Sequence, residues 1–252
     1  MTDTRRAHSF NAAAAQYAAA RPSYPPALFD TVEALSGRPL RGAAVVDVGA
    51  GTGIAAARLH ARGARLLAVE PGAGMAAEFR RQLPGVPVVR GDGNALPLAS
   101  GSADLLTFAQ SWHWTEPARA LPEALRVLRP GGTLALWWNV LDHRVGWVAA
   151  QGARLAAHFG AHAGAHGTPE RVRAEAGAAE FTHHRVPWSR RISVDTHLAN
   201  LGSHSLLLVA GEESRASFLT AERAALLRDF PDGTLDEPYV VDLLVTRRPN
   251  GN

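Results

Sequence analysis

Short apolar runs alternate with helical stripes along the first 140 residues. Residues 43–48 are continuously apolar apart from Asp47, the pattern of a strand buried on both faces. A helix-like segment at 54–62 follows, then a strand at 66–69, a helix at 73–83 and a strand at 86–89. A loop leads to a strand at 103–109, a helix at 117–128, a turn at Pro130-Gly131-Gly132 and a strand at 133–138. Strands alternating with helices in this way predict a parallel sheet with right-handed crossovers. Upstream, the Ala-rich stretch 12–20 is helix-prone until Pro22, Pro25 and Pro26 break it, and 27–35 places Leu28, Val32 and Leu35 on one stripe. Beyond residue 142 the pattern loosens: helices are expected at 145–159, 170–176 and 220–228, a long strand-like stretch at 181–194 and a final strand at 238–246. No internal repeat is visible. The expectation is one α/β domain over 1–252, with an N-terminal helical lid (1–40), a core (41–140) and a segment (141–252) that extends the same sheet and carries the substrate pocket.

Composition narrows the chemistry. The 252 residues suffice for one large domain, and 46% hydrophobic with 19% charged residues is a globular balance. There is no cysteine, hence no disulfide, thiolate nucleophile or Cys-liganded zinc. All 26 basic residues are Arg, so Schiff-base and P-loop lysines are excluded. Arg does not titrate in the accessible range, which is why a formal charge of only +3 gives a pI near 10.1. The arginines are scattered rather than gathered into a stripe, so no nucleic-acid partner is expected. No apolar run reaches the roughly 20 residues that span a bilayer, and residues 1–10 hold no apolar signal core. A cytoplasmic protein without a membrane partner, monomeric or homodimeric, is the expectation. His158, His162 and His166 recur at helical spacing, but Gly160, Gly164 and Gly167 interrupt the helix and no carboxylate lies among them, so no metal is expected.

The strongest segment is Val45-Val46-Asp47-Val48-Gly49-Ala50-Gly51-Thr52-Gly53, a buried strand running into a glycine loop that opens a helix. Backbone N–H groups there can approach a ligand closely. The spacing departs from the dinucleotide fingerprint, since Ile54 occupies the closing small-residue position. Asp47 puts a carboxylate beside the loop, which suits an amine or cation and opposes a pyrophosphate. Asp47, Glu70 and Asp92 stand at or just past the ends of the first three strands. With neighbouring strands about 4.8 Å apart, they track an extended ligand of about 10–15 Å. Carboxylates only accept, so the ligand is rich in donors. S-adenosylmethionine has that profile, with an ammonium, a sulfonium, a ribose, an adenine and no phosphate.

These residues resemble the class I S-adenosylmethionine-dependent methyltransferases. The resemblance rests on residues 45–53, on Ala68-Val69-Glu70-Pro71, on Gly91-Asp92-Gly93-Asn94-Ala95-Leu96-Pro97-Leu98 and on Leu125-Arg126-Val127-Leu128-Arg129-Pro130-Gly131-Gly132, and covers about 40–140. A narrower likeness, to the small-molecule branch that includes trans-aconitate methyltransferase-like proteins, is carried by 17–25, by Ala109-Gln110-Ser111-Trp112-His113-Trp114, by Trp138-Asn139 and more weakly by Ser203-His204-Ser205. It implies a Rossmann-like fold, a mostly parallel seven-stranded sheet with helices on both faces and its last strand antiparallel. It also implies that Asp47, Gly49, Ala50, Gly51 and Gly53 hold the methionine moiety. Glu70, with Pro71 and Met75 beside it, would hold the ribose, and Asp92, Gly93 and Asn94 the adenine. Gln110 would lie beside the reactive methyl, with Tyr17 and Arg21 closing over the cofactor. His113 is the candidate general base. Trp112, Trp114, Trp138, Asn139 and His204 are the candidate acceptor-binding residues, with Trp137 in the core. The expected reaction is methyl transfer to a small-molecule acceptor, a carboxylate or secondary metabolite. The alternatives are a nucleic-acid methyltransferase, which would carry Asn-Pro-Pro-aromatic where Gln110-Ser111-Trp112 stands, and a non-catalytic cofactor-binding protein.

Overall fold

The computed structural model describes residues 21–160, 170, 172, 174 and 180–250. Its seven strands are β1 (Ala44–Val48), β2 (Arg65–Val69), β3 (Val88–Val89), β4 (Ala103–Ala109), β5 (Leu128–Leu141), β6 (Thr182–Ser193) and β7 (Thr234–Arg247). They form one sheet in the order β3-β2-β1-β4-β5-β7-β6. The first five are parallel, and β7 runs antiparallel to both β5 and β6. The helices are α1 (Pro26–Ser36), α2 (Ile54–Ala61), α3 (Ala73–Gln82), α4 (Pro117–Val127), α5 (Gly146–Phe159), α6 (Val194–Gly202), α7 (Ser205–Val209) and α8 (Glu212–Asp229). The alternation predicted the parallel part of this sheet, and the resemblance implied its Rossmann-like form with seven strands, the last antiparallel.

Apolar residues pointing alternately up and down each strand build a core on each face. On one face Val45, Leu105 and Trp137 pack with Phe29 of α1, Leu59 of α2 and Phe79 of α3. Trp137 is fully buried, and Tyr24 and Phe29 meet it edge-on at 5.8 and 6.2 Å. On the other face Val46, Leu106, Phe108 and Leu134 pack under Ala120, Ala124 and Val127 of α4. A third cluster joins α6, α7 and α8 through Val194, Leu198, Leu207, Phe218 and Leu226.

Beneath that third cluster runs a buried polar chain. Glu222 of α8 takes two bonds from Arg154 of α5, at 2.6 and 2.7 Å, and one from Gln151 at 3.0 Å. Gln151 reaches His197 of α6 at 2.8 Å, and His197 meets Glu237 of β7 at 2.6 Å. Arg190 of β6 closes the chain on Glu237 at 2.5 Å. Burial alone would push both carboxyls up, but the hydrogen bonds and charges of these partners outweigh it and hold both below the usual range. The chain ties the helices after β5 to the outer strands and so sets one wall above the sheet.

The departures from the sequence pattern lie mainly in this half. α6 starts directly after β6, where the Ser193 side chain caps the Thr196 amide at 3.1 Å, so a strand and a helix share one unbroken stretch. α8 begins eight residues before the expected 220. β7 begins at Thr234 and carries Pro238 within it, and β5 begins at Leu128, before the Pro130-Gly131-Gly132 segment. A register shift between Ala103 and Leu105, with Gly131 at φ 72°, absorbs that turn into the ladder. The expected helix 12–20 lies outside the described residues, and of 170–176 only 170, 172 and 174 are described, all helical.

Truncating Trp137 to Ala removes the largest fully buried side chain on the α1 face and should destabilise the protein by about 3–5 kcal/mol, read from urea unfolding. A loss under about 1 kcal/mol would mean that this face is not the packed core described.

Candidate active site

The ends of β1, β2 and β4 converge on the loop after β1. Gly49, Gly51 and Gly53 have φ of 67°, 58° and 97°, a region that side chains disfavour. Gly49 has a second constraint, because a Cβ there would lie 2.5 Å from the Ser111 Cβ. Ser111 is held in place by donating to the Val48 carbonyl at 2.5 Å. Above Gly51 a Cβ would meet nothing within 4 Å, so the loop presents open space on that side. The Gly49 and Ala50 amides donate to the Val69 carbonyl at 2.8 and 3.2 Å, which pins the loop to the end of β2. Gly53 caps α2, with Phe79 and Leu83 packed against it.

Two buried carboxyls lie against this loop, each pushed above its usual range by burial. Glu70 accepts the Gly51 amide on one oxygen at 2.8 Å and the Gly72 amide on the other at 2.7 Å. Each oxygen keeps a second lone pair for a ligand hydroxyl. Burial raises the Glu70 pKa, against the lowering effect of those two amides and of the Arg90 charge. Asp47 lies deeper than the sequence suggested: it is fully buried beneath the loop rather than beside it, because it is the penultimate residue of the central strand β1. One oxygen accepts the Thr107 hydroxyl at 2.7 Å, and the other has no partner among the described residues. Burial drives its pKa to about 7, with the Glu70 charge adding to the rise and the Thr107 bond opposing it.

Asp92, three residues past β3, is exposed and accepts the Asn94 amide at 2.7 Å. Asn94 in turn accepts the Glu116 amide at 2.7 Å, which ties this loop to the start of α4. Gly93 is buried, and a Cβ there would lie 2.9 Å from Thr115 and 3.1 Å from Phe108. Met75 is buried in the first turn of α3, whereas Pro71 is exposed and its carbonyl accepts from Arg90. Gln110, directly after β4, is the single positive-φ non-glycine among the described residues, at φ 58°. Its amide donates to the Trp137 carbonyl at 2.9 Å and its side chain to the Asn139 carbonyl at 3.3 Å. Strained backbone at a sheet's C-terminal rim is a mark of a working site.

The aromatic cluster divides. Trp112 is buried edge-on against Phe108 at 4.9 Å, so it packs beneath the site and forms no open wall, contrary to its expected acceptor role. Trp114 is half-buried and leans on His113 at 4.7 Å. Trp138 is buried on the face opposite Trp137, and its indole N–H donates to His113 Nδ1 at 3.3 Å. An indole nitrogen only donates, so that bond leaves the imidazole proton on Nε2 and engages the lone pair that a base would use. The geometry therefore supports His113 as an oriented ring and not as the general base. Arg21 donates to the Ser203 carbonyl at 3.4 Å. Next to it, burial first and then the Arg21 and His197 charges hold the His204 imidazole well below its usual range, which keeps it neutral. Tyr17, His162 and His166 lie outside the described residues, while His158 rests on Ser214 and Phe218. Among the described residues, no helix is long and apolar enough to cross a membrane.

The sequence reading missed Thr107 and Ser111, which support Asp47 and the loop from the neighbouring strand. A buried Thr in β4 and a Ser after it carry no local signal; only the pairing of Asp47 with Thr107 across β1 and β4 reveals them.

Comparison with known proteins shows the family and the fold. Residues 46–136 match the methyltransferase domain family. An uncharacterised methyltransferase of Mycobacterium bovis is 35% identical over 230 residues, covering 90% of this chain and 89% of that protein. A demethylmenaquinone methyltransferase of Beutenbergia cavernae is 41% identical over 107 residues, 42% of this chain and 44% of that protein. Among solved structures, a putative type II methyltransferase from Anaeromyxobacter dehalogenans superposes with a TM-score of 0.67 at 26% identity, covering 92% of this chain and 99% of that one.

The raised Asp47 pKa makes a signed prediction. A carboxyl titrating near 7 when folded and near 3.8 when unfolded costs nothing below pH 4, and its cost grows as pH rises to 7. Asp47→Asn should thus stabilise the ligand-free protein by about 2–4 kcal/mol at pH 8 and leave it unchanged near pH 4, measured by denaturant titration at both pH values. Equal effects at both pH values would show that the carboxyl is already ionised without penalty.

Proposed function

The chain belongs to the methyltransferase family, and from that premise we propose that it transfers a methyl group from S-adenosylmethionine to a small-molecule acceptor. The observation that carries the reading is the Asp47 carboxylate, buried with one oxygen unpartnered beneath a glycine loop that is open above Gly51. A cationic, phosphate-free ligand supplies the missing positive charge, whereas a pyrophosphate would face that carboxylate and Glu70 with repulsion. The residues present therefore fit the donor. The quinone precursor in the Beutenbergia relative's name is in keeping with a small acceptor.

When bound, S-adenosylmethionine supplies an electrophilic methyl group on a sulfonium. The chain's own residues bind, align and exclude water. Asp47 and the loop at 49–53 would hold the amino-acid end by charge and close backbone approach. Glu70 would accept the ribose hydroxyls on its free lone pairs, and Asp92 with Gly93 and Asn94 would border the adenine. Gln110, fixed by its bonds to Trp137 and Asn139, would stand at the transfer point. His113 Nδ1 is taken by Trp138, and His204 is a weak base. Transfer without a general base follows, which favours an acceptor that is already nucleophilic at neutral pH, with a carboxylate first.

Calorimetry with S-adenosylhomocysteine tests this reading directly. Glu70→Ala should weaken binding by about tenfold or more, since it removes charged hydrogen bonds worth roughly 1.5–3 kcal/mol. A ligand ammonium favours ionised Asp47, so wild-type affinity should fall by up to about tenfold per pH unit below pH 7. Asp47→Asn should flatten that slope. No binding by the wild type, or binding of a dinucleotide instead, overturns the proposal.

A further inference from the structure

We infer that the acceptor is held on a wall built from β5, β6, β7 and α6, and that this wall takes a small carboxylic acid carrying a hydroxyl or amine beside its carboxylate. The inference rests on the methyl-transfer reading and adds the acceptor's chemistry to it.

A continuous series of contacts leads away from the transfer point. Gln110 donates to the Asn139 carbonyl at 3.3 Å, and the Asn139 side-chain oxygen takes the Trp188 indole N–H at 2.9 Å. Trp188 stacks on Tyr239, with ring centroids 5.1 Å apart and planes 19° apart. The Tyr239 hydroxyl accepts from Asn200 Nδ2 at 3.0 Å. Ser203 donates to the Asn200 carbonyl at 2.6 Å, and Arg21 donates to Ser203 in turn. Arg190 lies over the Tyr239 ring at 5.9 Å. β5, β7 and β6 align Leu141, Tyr239 and Trp188 in one register row, which puts these side chains on one face of the sheet.

Three polar atoms on this wall have no partner among the described residues: Asn139 Nδ2, Asn200 Oδ1 and Arg190 Nη2. Asn139 is 9% exposed and Asn200 4%, so bulk water does not serve them. Their identities follow from their neighbours. The Trp188 indole only donates, which fixes oxygen on the bonded side of Asn139 and leaves its amide N–H unused. The Tyr239 hydroxyl hydrogen-bonds to Glu237, so Asn200 must donate to the hydroxyl and keeps an unused oxygen. Arg190 is held by Glu237 through Nε and lies against the Tyr239 hydroxyl, while its Nη2 has no hydrogen-bond partner among the described residues and stands as a cationic donor. The wall thus offers two donors, one of them charged, and one acceptor. A carboxylate satisfies the donors, and a hydroxyl or amine satisfies Asn200. The charges facing it are Glu237, neutralised by Arg190 and bonded to His197, and the cation of Arg21 beside neutral His204.

The test uses the full chain, labelled S-adenosylmethionine and matched acids: lactate, alanine and propionate, then malate, aspartate and succinate. The hydroxy or amino acid of a set should be methylated with kcat/KM about tenfold or more above the plain acid. Asn139→Asp keeps the oxygen for Trp188 but turns the free donor into an acceptor. It should raise acceptor KM by about tenfold or more and leave S-adenosylhomocysteine affinity within about twofold. Asn200→Leu should erase the preference within a set and leave S-adenosylhomocysteine affinity within about twofold. The inference is overturned if the plain acids are equally good, if no acid is methylated while S-adenosylhomocysteine binds, or if both variants leave KM unchanged. Failure of the wild type to bind S-adenosylhomocysteine would instead overturn the methyl-transfer reading.

Discussion

A carboxylate buried at the end of the central strand, only half neutralised by hydrogen bonding, is the constraint around which the rest of this molecule is arranged. Asp47 sits on β1 between β2 and β4, where water does not reach it, and among the described residues only the Thr107 hydroxyl answers it. Such a group is expensive in a folded chain unless something positive arrives to meet it. The glycine loop above it is shaped by the same neighbours. Ser111 bonds back to Val48 and stands so close to Gly49 that no side chain fits there, and the loop is left with bare backbone facing outward. Packing of β4 against β1 therefore produces both the half-satisfied carboxyl and the side-chain-free backbone at Gly49.

The two cores make this arrangement rigid. Trp137 and Trp138 are adjacent in β5 and point to opposite faces, one into the α1 cluster and the other toward His113. A single strand thus anchors the scaffold on one side and sets a ring tautomer at the rim on the other. Gln110 is caught between its bonds to Trp137 and Asn139, which over-determine its backbone and hold it in the left-handed region.

The outer half follows a different logic. Its helices are joined to β6 and β7 both by an apolar cluster and by the buried run from Arg154 through Glu222, Gln151, His197 and Glu237 to Arg190. Networks of this kind are costly when a member is left unsatisfied. Among the described residues, Gln151 Oε1 and Arg190 Nη2 of this run have no hydrogen-bond partner.

Much of this was legible in the order of the residues alone. Apolar runs of strand length and glycines at 49, 51 and 53 determine the parallel sheet and the side-chain-free loop at its rim, because strand burial and loop backbone conformation are local properties. Other features exist only through tertiary contact. Whether Asp47 lies beside the loop or under it depends on how deeply β4 covers β1. Whether His113 accepts or donates a proton depends on an indole 25 residues away. Trp112 reads like an aromatic wall and turns out to be core, since an aromatic residue has the same pattern in either place. The stretch from β6 into α6 shows no boundary in its hydrophobicity, and the hydrogen bonds and ring stacking that join residues 110, 139, 188, 200 and 239 follow no spacing rule. Local periodicity sets the elements, but side chains from distant strands meet only after the sheet has closed, and their hydrogen-bonding states are decided there.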